Sequence, residues 1–240
     1  MNRGTDGQAP IRPDGQDRLW AHFQNRRPDA FEGAKPRLDF LIREVSRRKG
    51  RPSPRVLNVG AGNGYFETTI RGLGWDAYSL DPDDETISRL RLRGIKGYVG
   101  HAEKMPFENG RFDFIVASEV LEHLDEDQLR KGMGEAARVL AEGGWFLGTV
   151  PHCENLLLNQ VPCPRCGEIF HRWGHKTSFT MEAMRTELRL FFGRVSVKRR
   201  AFVGLRDRRL RGRIKGLLRL ILARYGVEIA APSIYFAAQK

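Results

Sequence analysis

The sequence predicts an α/β fold in which helices cover both faces of a mostly parallel sheet. Three observations carry this. Between Arg55 and Val150, short apolar runs of strand length alternate with stretches of helical period. The first of these runs ends on a glycine-rich turn, Gly60-Ala61-Gly62-Asn63-Gly64, with a helical pattern directly behind it. The chain has 240 residues, 40% of them hydrophobic and 29% charged. That is an ordinary globular composition, with enough chain to bury one large core and too little for two comfortable domains.

Taken in order, residues 1–17 are rich in Gly, Pro, Asp and Arg and read as a tail. Residues 18–50 read as a helical cap: Leu19, Trp20 and Phe23, then Leu38, Leu41, Ile42 and Val45, recur at helical spacing, and Pro28 and Pro36 divide the pieces. The domain proper spans 51–240. Strands are expected near 55–59, 77–80, 97–99, 112–117, 145–150, 194–198 and 233–238, with helices near 64–72, 83–93, 125–140 and 181–190. Two segments break the alternation. One is a Cys/His-rich insertion at 152–179. The other, at 205–225, alternates Leu and Ile with eight Arg and Lys residues in the pattern of a basic amphipathic helix.

No run approaches the 18 or so apolar residues of a membrane span, and the N-terminus lacks the apolar stretch of a signal peptide. A cytoplasmic location is therefore expected. Three cysteines, two of them in Cys163-Pro164-Arg165-Cys166, point to free thiols or a metal rather than to a disulfide framework. The formal net charge of +12 favours anionic partners. Through the basic helix, these would be RNA phosphates or an anionic membrane surface, the latter implying peripheral membrane association.

The glycine turn is the strongest chemical signal. Without side chains at Gly60, Gly62 and Gly64, a ligand can lie against the backbone, and the following helix offers its first amide groups. About twenty residues later the next strand ends at Asp81, placed to accept hydrogen bonds from two ribose hydroxyls of a nucleoside.

At this point the chain resembles a known family. Val56-Leu57-Asn58-Val59-Gly60-Ala61-Gly62-Asn63-Gly64 is similar to the first motif of class I methyltransferases that use S-adenosylmethionine (SAM). Ala102 to Phe107 with Phe112 to Val116, then Ser118 to Leu124, Arg138 to Leu140 and Gly143-Gly144, continue the match in order. The resemblance implies a Rossmann-like, seven-stranded sheet with SAM as cofactor. It places Gly60, Ala61, Gly62 and Gly64 by the methionine part and Asp81 on the ribose. Ala102 and Glu103 border the adenine, and Ser118 and Glu119 form the floor near the sulfonium. Asn58 departs from the usual Asp, and His101 from a frequent acid.

For the chemistry, Glu119, His123 and His152 are the candidate catalytic residues, because they follow the strand ends that would face the methyl group. Glu119-x-x-Glu122-His123 also resembles a magnesium site of small-RNA 2′-O-methyltransferases and ubiquinone-pathway O-methyltransferases, with His171 or His175 available as a further ligand. Many methyltransferases carry the Glu-His-Leu sequence with no metal, so both readings stand. Cys153, Cys163, Cys166, His171 and His175 are candidate zinc ligands, against a metal-free loop that merely contains them. The expected activity is methyl transfer to a small-molecule or lipid-like acceptor, at oxygen. The alternatives are an RNA 2′-O-methyltransferase and a non-catalytic SAM- or zinc-binding partner protein.

Overall fold

A computed structural model describes residues 15–202 and 232–240. The basic stretch at 205–225 and residues 1–14 of the tail lie outside the described residues. Gly15 to Asp17, expected in the tail, instead open the first helix, α1 (Gly15–Arg26). A 3₁₀ turn (Pro28–Ala34) follows, then α2 (Lys35–Arg48). The prolines divide the cap because proline lacks the amide donor of a helix interior; Pro36 is tolerated in the first turn of α2, where that donor would be unpaired anyway.

The expected alternation then appears: β1 (Arg55–Val59), α3 (Tyr65–Gly72), β2 (Asp76–Asp81), α4 (Asp84–Leu92), β3 (Lys96–Val99), β4 (Phe112–Ser118), α5 (Glu126–Val139) and β5 (Leu140–Pro151). The insertion holds a two-stranded ribbon that the sequence pattern did not announce, β6 (Gln160–Pro162) and β7 (Ile169–His171). α6 (Met181–Arg189), β8 (Arg194–Arg200) and β9 (Ser233–Gln239) complete the described residues. β5 starts five residues earlier than its apolar run suggests. Its first part bends through Gly143 at φ 73°, and the pairing with β4 shifts register between Phe112 and Phe114.

The seven-stranded sheet has the order β3-β2-β1-β4-β5-β9-β8, with β9 antiparallel to both its neighbours and the pairs among β1 to β5 parallel. Both faces are covered, and the strand sequences show why. Leu57 and Val59 pack into one core with α5 and α6, while Val56, just before them, packs into the other with α2 and α3. Ile115 and Ala117 alternate in the same way with Phe114 and Val116, so the strands read as unbroken apolar runs. Asp83 caps α4 by accepting from the Thr86 amide at 2.8 Å, and Asp125 with Gln128 forms a capping box on α5. Glu44 of α2 is buried against Arg47, Arg48 and the Tyr235 hydroxyl, tying the cap helix to β9.

Among the described residues, no helix is long and apolar enough to cross a membrane.

Candidate functional site

The carboxyl ends of β1, β2 and β4 open into a cavity of about 800 Å³. Its first wall is the glycine turn. Gly60, Gly62 and Gly64 all have positive φ, at 84°, 53° and 78°, and a Cβ on Gly60 would come within 2.7 Å of the Val120 side chain. Gly60, Ala61 and Gly62 line the cavity. Gly64 does not. A Cβ there would strike Leu90 at 2.5 Å, so this glycine lets α3 approach α4 rather than facing a ligand.

Asp81 stands at the end of β2, 3% exposed, and lines the same cavity. Its carboxylate accepts from the Ala61 amide at 2.8 Å and the Asp83 amide at 3.0 Å, which fixes it beside the turn. Burial raises its pKa, opposed chiefly by those two amides. Behind the turn, Asn58 donates to the Gly60 carbonyl and to Glu67 of α3, which also accepts from Ser79. The acid missing at position 58 is thus supplied from the helix. Burial lifts the Glu67 pKa to about 7.

The cap forms the roof. Gln24 of α1 donates to Asp81 at 2.8 Å, and Asn25 donates to Asp83 at 2.8 Å. Trp20, Phe23 and Phe31 line the cavity from above, with Trp173 of the insertion packed on Phe23 at 5.6 Å. Ala102 and Glu103 lie on the opposite wall, and Gln128 holds Glu103 at 3.1 Å. His101 has a carboxylate near it after all: Asp17 of α1, 3.9 Å away. On the floor, Arg37 of α2 donates to Ser118 at 2.8 Å and lies 3.9 Å from Glu119, whose backbone is held at φ 56°.

Behind the far end, where His123 lines the cavity and Glu122 and His175 do not, these three residues converge, their ligand atoms all within 4.8 Å of one another. Glu119, expected among these ligands, is not in this group and turns towards Arg37; His175, expected as a further ligand, is in it. Glu122 is 1% exposed and neither carboxylate oxygen has a hydrogen-bond partner. Burial and the nearby Glu119 push its pKa well above the usual carboxylate range. His123 faces the Gly174 carbonyl through Nδ1 at 3.3 Å, which as an N–H donor leaves Nε2 with its lone pair. Burial, together with the positive charge that His175 can carry, lowers its pKa to about 3. His175 is anchored to Glu154 at 2.5 Å.

The expected zinc set is not assembled. His171 and His175 share Glu154, but no cysteine joins any group of three or more candidate ligands among the described residues. His171 accepts the amides of Trp173 and His175 on Nδ1, so its Nε2 bears the proton; Nε2 lies 3.5 Å from Glu154 without a hydrogen bond between them. Cys153 is exposed; its sulfur lies 3.5 Å from Nε2 of the neighbouring His152, and its amide donates to the Phe179 carbonyl at 2.8 Å. His152 itself does not line the cavity; it sits at the end of β5, bridged to Phe179. The reason is geometric: positions 152 and 153 lead out of the sheet towards the surface, while 119 to 123 turn back under the roof. The cap residues Trp20, Gln24, Phe31 and Arg37 were missed as site residues. Their helical spacing signals burial but not that the buried face overhangs a cavity.

The comparisons agree with this architecture. A family model described as a methyltransferase domain matches residues 25–191. A demethylmenaquinone methyltransferase of Chlorobaculum parvum is 32% identical over 134 residues, covering 48% of this chain and 55% of the relative. A ubiquinone biosynthesis O-methyltransferase of Xanthomonas oryzae is 31% identical over 146 residues, covering 55% and 59%. The chain thus spans a little over half the length of these curated relatives. Among solved structures, a chain of the complex between the Haloferax volcanii Trm112 methyltransferase activator and its methyltransferase superposes with a TM-score of 0.66 at 17% identity, covering 95% of this chain and 99% of that one. A SAM-dependent methyltransferase of Thermotoga maritima gives 0.61 at 15% identity, covering 94% and 100%. With the glycine turn, the acid at the end of β2, the strand order and the matched domain model all in hand, the chain belongs to the class I SAM-dependent methyltransferases.

Proposed function

We propose that this enzyme transfers the methyl group of SAM to an oxygen of a small, flat, lipid-like acceptor. The observation that carries this is the single cavity running from the glycine turn to Trp173, walled by Trp20, Phe23 and Phe31. Such walls offer large apolar faces and few polar groups, the chemistry of a pocket for an aromatic small molecule. The relatives named for quinone pathways are consistent with it.

In this reading Gly60, Ala61 and Gly62 carry the methionine part of SAM, Asp81 holds the ribose hydroxyls, and Ala102 and Glu103 border the adenine. Ser118 and Glu119 form the floor beneath the sulfonium. Asp81 has the capacity: its two oxygens offer about four acceptor sites, of which the Ala61, Asp83 and Gln24 donors use three. Gln24 therefore shifts or shares when a nucleoside arrives. Transfer is an in-line displacement: the acceptor oxygen bonds to the methyl carbon as the carbon–sulfur bond breaks and its electron pair returns to sulfur. The protein's work is alignment in a dry pocket, and removal of the hydroxyl proton is assigned to Glu119, which lines the cavity floor.

Glu122, His123 and His175 fit a divalent cation. A buried carboxylate without partners and two imidazoles within ligand distance form a donor set that a cation completes. When bound, a cation there would make a nearby acceptor hydroxyl easier to deprotonate. Magnesium and zinc are both to be tried. Chelator-treated enzyme is expected to bind SAM unchanged and to lose about tenfold or more of its turnover, restored by one of the two ions; full activity after chelation would remove the cation from the reading.

The test of the main reading is incubation with methyl-labelled SAM and separate pools of small molecules, lipids and RNA. Label in a lipid or aromatic small-molecule fraction supports it. Label in RNA would move the acceptor to nucleic acid, and tight SAM binding with no label anywhere would make the chain a non-catalytic partner.

A further inference from the structure

The two ends of the insertion meet around one carboxylate. Glu154, near its start, accepts from Nδ1 of His175 at 2.5 Å on one oxygen and from the Asn159 side-chain amide at 3.0 Å on the other, and the Ser178 hydroxyl donates to its backbone carbonyl at 2.8 Å. The side chains of Glu154 and His175 are 16% and 11% exposed, so this bond is largely shielded from water. The insertion is fastened in turn to the loop after β4. The Lys176 and Thr177 amides donate to the Glu122 carbonyl at 2.8 and 3.0 Å, and the Thr177 hydroxyl donates to the Leu124 carbonyl at 2.8 Å. His175 is thereby set edge-on to His123, ring centroids 4.7 Å apart.

A neutral imidazole has one N–H and one lone pair, and the partner of one nitrogen decides which is which. A carboxylate only accepts, so the bond to Glu154 puts the His175 proton on Nδ1 and the lone pair on Nε2. The Gly174 carbonyl sets His123 the same way. His171 is set the opposite way. Glu154, His171 and His175 also lie within ligand distance of one another, but Nδ1 of His171 is taken by the Trp173 and His175 amides, at 3.3 and 3.1 Å, and its Nε2 carries the proton. With no lone pair free on His171, that cluster is not a second ion site. Its carboxylate serves the neighbouring group instead.

We propose that Glu154 is a positioning residue for the cation site: its carboxylate holds His175 in the Nδ1–H form, leaving Nε2 to bind beside Glu122 and His123. This rests on the cation reading given under the proposed function. A carboxylate behind a metal-binding imidazole fixes the ring and its tautomer and raises its basicity, and loss of such a partner costs about 10- to 100-fold in metal affinity. The insertion then has a definite task, which is to present one ligand of the site in the form that can bind.

Manganese(II) is the probe, because it is a hard ion that disregards the three thiols, and its uptake by the full chain is read from the loss of the free-ion paramagnetic resonance signal. Glu154→Gln should bind it about 10- to 100-fold more weakly than wild type. Ser178→Ala loosens the backbone of Glu154 but spares its carboxylate, and should stay within about twofold of wild type. SAM binding by calorimetry should be the same in all three proteins. Nitrogen NMR of cation-free wild type should find the His175 proton on Nδ1, a readout that needs no variant to fold. Glu154→Gln within about threefold of wild type, Ser178→Ala weakened as much as Glu154→Gln, or a proton on Nε2 of His175 in wild type would each overturn this proposal and leave the cation reading standing. A wild type that takes up no manganese would overturn both.

Discussion

Glu67 and Glu122 are the most deeply buried carboxylic acids among the described residues, and they are treated differently. Glu67, beneath the glycine turn, accepts from Asn58 and Ser79. Glu122, behind the far end of the same cavity, has no hydrogen-bond partner on either oxygen among the described residues. The half of the site built from β1, α3 and β2 satisfies most of its polar groups from within the fold, whereas the half built from the loop after β4 and the insertion leaves a carboxylate for something from outside. An unpartnered buried carboxylate costs several kcal/mol, so a protein that keeps one has a use for it. In the function proposed above, the contrast separates a frame for the cofactor from a chamber for the chemistry.

The sharpest test of the self-contained half is titration. Folding raises the Glu67 pKa from 4.5 to about 7. Between those values the folded state binds the extra proton, so ionising this group makes stability fall as pH rises, from no penalty below about 4.5 to the full one above about 7. The span is about 3 kcal/mol. Glu67→Gln keeps an acceptor for Asn58 and Ser79 without the titration. The difference in unfolding free energy between variant and wild type should grow in the variant's favour across that window, and a pH-independent difference would mean that Glu67 is better solvated than its burial implies.

Next in size is Asp81→Ala. If the frame holds the cofactor through this carboxylate, two charge-assisted hydrogen bonds are lost and SAM affinity should fall about 100-fold by calorimetry. A loss smaller than about threefold would transfer the ribose to Gln24 or Asp83 and break the assignment. Gly60→Ala probes the seam between the halves, since its new Cβ meets Val120 in the loop that carries Glu119 and Glu122. Left-handed backbone plus that contact should cost about 2 kcal/mol, read as a fall of about 6 °C in Tm.

The two halves were also unequally legible. The glycine turn, Asp81 and Ala102-Glu103 could be placed from sequence because their positions follow from the strand that ends just before each of them. The sheet was legible for the same reason: apolar runs such as Phe112 to Ala117 announce strands buried on both faces. The chamber was not. Glu119 and Glu122 are three residues apart, yet the positive φ at Glu119 sends one towards Arg37 and the other towards His123 and His175. No spacing rule reveals that turn. Cys153 and the Cys163–Cys166 pair share a segment but not a location, and the roof residues reach the site from a helix more than thirty residues upstream of the glycine turn.

The smallest expected effect falls on that roof and wall. Trp173 lines the cavity and packs on Phe23 of α1, far along the chain from Asp81 and the glycine turn. In the proposed reading its indole adds apolar surface to the acceptor's end of the cavity. Trp173→Ala should therefore raise KM for the acceptor about tenfold, corresponding to about 1.4 kcal/mol of lost contact, and leave SAM affinity within about twofold. A Trp173→Phe variant, which keeps a ring against Phe23, should recover most of the loss. If instead Trp173→Ala weakened SAM and acceptor equally, the roof would be acting on both halves as one lid, and the division between frame and chamber would have to be redrawn at α1.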